Sequence, residues 1–273
     1  MRCGDHGARR RAWHDGYLAL VAALLALGPA MSASAAPSRS ALDEVLDRGV
    51  LRVCTSGDYR PFSYTGGDRL YEGADIEMAQ SLGQSLNVRV EFFQTPWKDL
   101  VASIKGGQCD IAMGGISVSL ERARDATYSL VYLKDGKTAI ARCDSASQYV
   151  DLASIDRSGV RVIVNPGGTN QRFVTSHIKN ASVTTFPDNA VIFDEIAARR
   201  ADIMITDASE VRQQVKRHPG VLCPVAAKEP FLYGEKAYLL PRGDQVWLEY
   251  VNQWLHLQLE NGNFAAIAKR WLD

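Results

Sequence analysis

Val160-Arg161-Val162-Ile163-Val164-Asn165-Pro166-Gly167-Gly168-Thr169-Asn170-Gln171-Arg172-Phe173 is the stretch on which the reading of this chain turns. Its first five residues, dominated by β-branched side chains, predict a buried strand. Pro166-Gly167-Gly168 breaks that strand, because glycine reaches backbone torsions closed to other residues. Thr169 or Asn170 is a good N-cap for a helix running to about Ile178. Strand, glycine turn and helix N-terminus in that order present free N–H groups and a positive dipole end, which suits a carboxylate or phosphate. An ordinary βα turn has the same local signature, so the decision rests on what surrounds it.

Outward from this stretch, strand and helix signals alternate in both directions. Toward the N-terminus, Ser40 and Gly49 bracket a helix at 41–48, and a strand follows at 50–54. Gly57-Asp58-Tyr59-Arg60-Pro61-Phe62-Ser63-Tyr64 is a loop dense in aromatics. A helix at 75–86 carries Ile76, Ala79, Leu82 and Leu86 on one face. Then come a strand at 88–93, a helix at 97–105 begun by Trp97, and a strand at 110–113 leaving through Gly114-Gly115-Ile116-Ser117. Ser119 caps a helix bearing Glu121, Arg122 and Arg124.

The alternation resumes after Lys137, with a strand at 138–142 and a helix at 149–155 ahead of the quoted stretch. Beyond it are a strand at 182–186, a helix at 189–198, a strand at 202–206 and a helix at 208–216, with Asp207 at the last junction. A strand at 236–240 and two amphipathic helices close the chain. The fold class is therefore α/β, with mainly parallel sheets flanked by helices. Two such runs predict two lobes and a cleft. In open parallel sheets ligands lie beyond the carboxyl ends of the strands. The candidates there are Tyr59, Phe62, Gly115, Ser117, Thr169, Asn170, Gln171 and Asp207, with Arg122 one turn past an exit.

The first 35 of the 273 residues read as an export signal: Arg9-Arg10-Arg11, an apolar segment from Gly16 to Ala30, and Ala33-Ser34-Ala35 as a cleavage site. Its loss removes Arg2, Arg9, Arg10, Arg11, Asp5 and Asp15 and leaves 27 basic and 29 acidic residues. That balance argues against a general nucleic-acid or membrane-surface role. Export permits disulfides among Cys54, Cys109, Cys143 and Cys223, and spacing alone leaves three pairings open. None of these cysteines forms a C-x-x-C pair, and His177, His218 and His256 have no ligand spacing, so no metal is expected. No G-x-S-x-G, P-loop or G-x-G-x-x-G occurs.

The ordered set Gly57-x-Tyr59-x-Pro61-Phe62, Trp97, Gly115-Ile116-Ser117-x-x-x-x-Arg122, Gly168-Thr169 and Asp207 resembles the type II periplasmic solute-binding proteins of the polar amino-acid family. Within them, the chain is similar to the cyclohexadienyl dehydratase branch. That likeness is carried by Asp135-Gly136-Lys137-Thr138, Asn165-Pro166-Gly167-Gly168-Thr169-Asn170, Pro187-Asp188-Asn189, Thr206-Asp207-Ala208 and the run from Glu235 to Arg242. The resemblance implies a first lobe at 36–137 completed by 233–273, and a second at 138–232. It implies that Arg122, Ser117 and the Thr169 amide clamp a carboxylate, that Tyr59 and Trp97 sandwich the ligand, and that Asp207 holds an α-amino group. It also implies a Cys143–Cys223 disulfide, which leaves Cys54 and Cys109 as buried thiols.

The dehydratase branch converts prephenate to phenylpyruvate and arogenate to phenylalanine, losing carbon dioxide and the ring hydroxyl together, without a cofactor. Hydroxide is a poor leaving group, so a general acid is wanted. Where the branch motif reads Asn-Pro-Gly-Gly-Thr-Asn-Glu, this chain has Gln171, and a carboxamide has no proton to transfer. By motif position Asp58, Lys137 and Asp207 are the substitute acids. The alternative is a non-catalytic binding protein for an amino acid or aromatic carboxylate, working with an ABC permease or a sensor partner.

Overall fold

The computed structural model describes Met1 and residues 39–273 apart from 67, 69, 226 and 228; the expected export signal, Met1 aside, lies outside the described residues. In chain order the elements are α1 (Ala41–Arg48), β1 (Val50–Thr55), β2 (Asp58–Tyr59), β3 (Ser63–Thr65), β4 (Tyr71–Glu72), α2 (Ala74–Ser85), β5 (Arg89–Gln94) and α3 (Leu100–Lys105). Next come β6 (Ile111–Ala112), α4 (Leu120–Ala123), β7 (Ala126–Tyr128), β8 (Leu133–Arg142), α5 (Leu152–Ile155), β9 (Arg161–Val164) and α6 (Thr169–His177). The remainder are β10 (Ser182–Thr185), α7 (Ile192–Ala197), β11 (Ile203–Asp207), α8 (Ala208–Arg217), β12 (Leu222–Pro224), β13 (Leu232–Lys236), β14 (Leu239–Pro241), α9 (Gln245–Glu260) and α10 (Asn263–Trp271).

Two sheets define two lobes. The first has the order β5-β1-β6-β14-β7, parallel across β5, β1 and β6, with β14 antiparallel to β6 and β7. The second has the order β10-β9-β11-β8-β12, and β13 also pairs with β8. The chain passes between the sheets twice, along the antiparallel ribbon in which Lys137 faces Leu232 and Leu133 faces Lys236. The aromatic loop forms a small third sheet of its own, in which β2, β3 and β4 pair antiparallel.

The core follows from side-chain alternation. Along β9 and β11, Val162, Val164, Ile203 and Ile205 point to one face and pack with Phe173 and Val174 of α6. Ile163 and Met204 point to the other and pack with Ile192, Phe193 and Ile196 of α7. A period of two with both faces covered is why these strands read as unbroken apolar runs. In the first lobe the C-terminal helices complete the core: Trp247, Val251 and Leu255 pack on Leu51, Val53 and Met78. The buried Trp247 indole also donates to the Asp110 carbonyl at 2.8 Å, which answers its one polar atom.

Three local expectations change. Trp97 lies in a turn, and α3 begins at Leu100. Gly168 holds the N-cap position of α6, and Thr169 is its first helical residue. The predicted strand at 236–240 is two strands, broken where the ribbon ends and the first sheet resumes. Cys54 and Cys109 are not thiols but a disulfide, with 5.6 Å between their Cα atoms. Cys109 enters β6 beside β1, close enough in Cα spacing for a bridge. Cys143 and Cys223 form a second, joining the end of β8 to β12, with Cα atoms 4.8 Å apart.

Candidate functional site

The site is built where the exits of both sheets meet. Asp207 ends β11, directly across the ladder from Lys137 on β8, so alternation puts both side chains on one face. Lys137 Nζ donates to Asp207 Oδ1 at 2.6 Å, and Lys236 Nζ, from the ribbon's other strand, donates to Oδ2 at 2.5 Å. The Tyr59 hydroxyl donates to Oδ2 at 2.6 Å, and Ser117 Oγ lies 3.3 Å away. Asp207 holds the N-cap position of α8 without capping it through its side chain, because that side chain is committed to the lysines. Burial opposes its charge, yet Lys137 and Lys236 together hold it well below the usual carboxylate range. Burial lowers the Lys137 ammonium, against the pull of Asp207.

Around this centre lies a narrow cavity of about 10 Å³, lined by Tyr59, Trp97, Gly115, Ser117, Asn165, Gly168, Thr169, Asn170 and Asp207. It has room for roughly one water. The lobes are closed on each other here. Gly115 is required, since with φ of 71° a Cβ would stand 2.5 Å from the Phe62 ring. Gly167, at φ 80°, lets the quoted loop sit against Lys98 of the first lobe, where a Cβ would be 3.0 Å from the Lys98 amide. Lys137 also donates to Thr169 Oγ1 at 3.0 Å and to the Asn170 side chain.

A second cavity, about 260 Å³, shares Ser117, Thr169 and Asp207 with the first and extends past Lys137 to Arg172, Phe173, His177 and Leu232. Arg122 stands behind Ser117: Nη1 donates to the Ser117 carbonyl at 3.2 Å, while its buried Nη2 has no partner.

The expected residues divide in two. Tyr59, Trp97, Gly115, Ser117, Thr169, Asn170 and Asp207 converge on the first cavity and Lys137 on the second; Arg122, Asp58 and Gln171 line neither. Tyr59 and Trp97 meet edge-to-face, 5.3 Å apart at 88°, so there is no flat slot between parallel rings. The Tyr59 hydroxyl is drawn to Asp207 instead. Phe62 is wholly buried core. Asp58 accepts from the Trp97 indole at 3.1 Å, and burial raises its carboxyl. Gln171 turns back on its own loop, accepting from the Gly167 amide at 2.7 Å.

Sequence reading missed Lys236 and Glu210. Lys236 is 1 % exposed and donates to the Gly115 carbonyl at 2.9 Å and Ser117 Oγ at 3.0 Å, binding the first lobe's exit loop to Asp207. Glu210, fully buried on the first turn of α8, accepts from Asn189 at 2.8 Å and shares a 2.5 Å hydrogen bond with Thr206. Asn170 donates to the Thr206 oxygen at 2.9 Å, and the Thr206 hydroxyl in turn donates to Glu210 Oε2. Burial, offset by those hydrogen bonds and reinforced by Asp207 and Asp58, raises the Glu210 carboxyl to about 8. The signal available in sequence was a carboxylate one helical turn after Asp207, which reads equally as an exposed helix residue.

Residues 51–273 match the model of the bacterial extracellular solute-binding proteins, family 3. The chain belongs to that family. Among its relatives is the cyclohexadienyl dehydratase of Pseudomonas aeruginosa, 45% identical over 254 residues, 93% of this chain and 94% of the relative. The L-cystine-binding protein of Escherichia coli is 25% identical over 259 residues, 94% of this chain and 96% of the relative. Among solved structures, an ancestral amino acid-binding protein described as a precursor of cyclohexadienyl dehydratase superposes with a TM-score of 0.80 at 30% identity, covering 86% of this chain and all of that one. Family 3 thus includes both an enzyme and ligand binders, and the two-lobed type II architecture is common to them.

Proposed function

We propose that the chain is an exported, periplasmic cyclohexadienyl dehydratase acting on prephenate and arogenate. The observation that carries this reading is the 45% identity to a cyclohexadienyl dehydratase across 93% of this chain. A dehydratase needs a proton donor, because the ring hydroxyl must depart as water. Asp207 is held ionised by two lysines and cannot supply the proton; Gln171 has none to give.

In this reading Arg122, Ser117 and Thr169 hold a carboxylate, and Tyr59 and Trp97 bound the ring. Asp58 orients Trp97. Lys137, Asp207 and Asn170 position the polar groups. Cleavage of the ring carbon–carboxylate bond releases carbon dioxide, its electron pair becomes part of the aromatic ring, and the hydroxyl leaves as water with a proton from the Lys137 ammonium, which lines the cleft. One proton is consumed per turnover, and solvent returns it to Lys137. The lobes are taken as 36–137 with 233–273, and 138–232. The polypeptide reaches the periplasm through a signal cleaved near Ala35.

The test is phenylpyruvate formation from prephenate by the purified mature protein, against a control without protein. Turnover well above the control supports the enzyme. Turnover equal to the control, with intact folding, replaces it by the second reading, an amino-acid or aromatic-carboxylate binding protein serving a permease. That second reading draws on the amino acid-binding relatives and on Gln171 at the motif position.

A further inference from the structure

Arg122 on α4 and Arg172 on α6 come from different lobes and are linked through Glu121 and Ser117. Arg172 Nε pairs with Glu121, the chain neighbour of Arg122, at 3.0 Å. Arg172 and Ser117 line the 260 Å³ cavity, and the Ser117 carbonyl is what holds Arg122 Nη1. Each guanidinium keeps a buried Nη2 with no partner, and Arg122 is only 5 % exposed. Burial disfavours the charge of Arg122; Tyr128 favours it, Arg172 adds a smaller repulsion, and Glu121 a smaller attraction. Two cations and one carboxylate leave a single positive charge. Two unused donors and one unbalanced charge call for one anion.

We infer that Arg172 is a ligand-binding residue, which together with Arg122 holds one carboxylate of the substrate between the lobes. This rests on the proposed reading of the cleft as a carboxylate site. Because Arg172 reaches from the second lobe, it ties that carboxylate to closure, and its ion pair with Glu121 orients the guanidinium. The carboxylate in question is the one retained in the product, so product and substrate both engage it.

The experiment compares wild type, Arg172→Gln, Arg172→Lys and Glu121→Gln, measuring KM and kcat with prephenate and the dissociation constant of phenylpyruvate by calorimetry. Arg172→Gln is expected to raise KM and the dissociation constant about ten- to a hundredfold, the worth of a charge-assisted hydrogen bond pair, with kcat little changed. Arg172→Lys should recover part of the loss. Glu121→Gln should change both by less than about threefold. Unchanged phenylpyruvate affinity in a folded Arg172→Gln overturns the assignment, as does an equal loss in Glu121→Gln, which would mean that only the interlobe ion pair matters. If wild type does not turn over prephenate, the dehydratase reading fails while the calorimetric comparison still decides Arg172. No binding of phenylpyruvate by wild type overturns the assignment of Arg172, while turnover alone still decides the dehydratase reading.

Discussion

Lys236 Nζ stands 2.5 Å from Asp207 Oδ2, joining the strand that returns to the first lobe to the carboxylate at the centre of the cleft. Both groups are almost fully buried, 1 % and 5 % exposed, so removing one charge strands the other in a low-dielectric site. Lys236→Met is therefore expected to cost about 3 kcal/mol in urea unfolding of the mature protein. A loss below about 1 kcal/mol would show that Lys137 alone satisfies Asp207.

Lys137→Gln keeps a hydrogen-bonding side chain beside Asp207, Thr169 and Asn170 but removes the transferable proton. It is expected to lower kcat for prephenate about a hundred- to ten-thousandfold. Gln171→Glu, by contrast, should change kcat by less than about twofold, because that side chain is bonded to the Gly167 amide. A tenfold gain in Gln171→Glu would move the acid to position 171.

The raised Glu210 carboxyl makes a pH prediction with a definite sign. The prediction concerns stability. Between the ordinary value of 4.5 and about 8, the folded state binds a proton that the unfolded state has lost, so the Glu210 contribution declines as pH rises through that window. Denaturation series at pH 5, 7 and 9 on wild type and Glu210→Gln (pH values of about those settings, chosen from the same linkage) should show a slope that the variant lacks.

Both disulfides should be formed in the exported protein. Thiol titration of the unfolded, unreduced mature chain should find none of Cys54, Cys109, Cys143 and Cys223 free. Two free thiols would leave only one bridge. Replacing Cys143 and Cys223 by serine opens a loop with a sequence separation of 80 and is expected to cost about 4 kcal/mol.

Gly115→Ala should be destabilising by about 2 kcal/mol and should weaken ligand binding, because its Cβ would lie 2.7 Å from the Tyr59 ring as well as against Phe62. Wild-type affinity in this variant would mean that the exit loop can shift without disturbing the cleft.

The sequence by itself determined the alternation of strands and helices, the glycine turn at 167–168, the capping of α1 by Ser40 and of α4 by Ser119, and the set of strand exits that meet in the cleft. These are local or periodic properties, written in consecutive residues. Pairings across long chain separations were left to the tertiary structure. Cys54 meets Cys109 because β1 and β6 are neighbours, and Lys236 reaches Asp207 because the ribbon returns beside β8. A lysine in an apolar strand and a glutamate one turn into a helix carry no local mark of burial. Only the packing around Lys236 and Glu210 decides that one is a buried counter-charge and the other a neutral acid, since desolvation acts on where a group ends up, not on its neighbours in sequence.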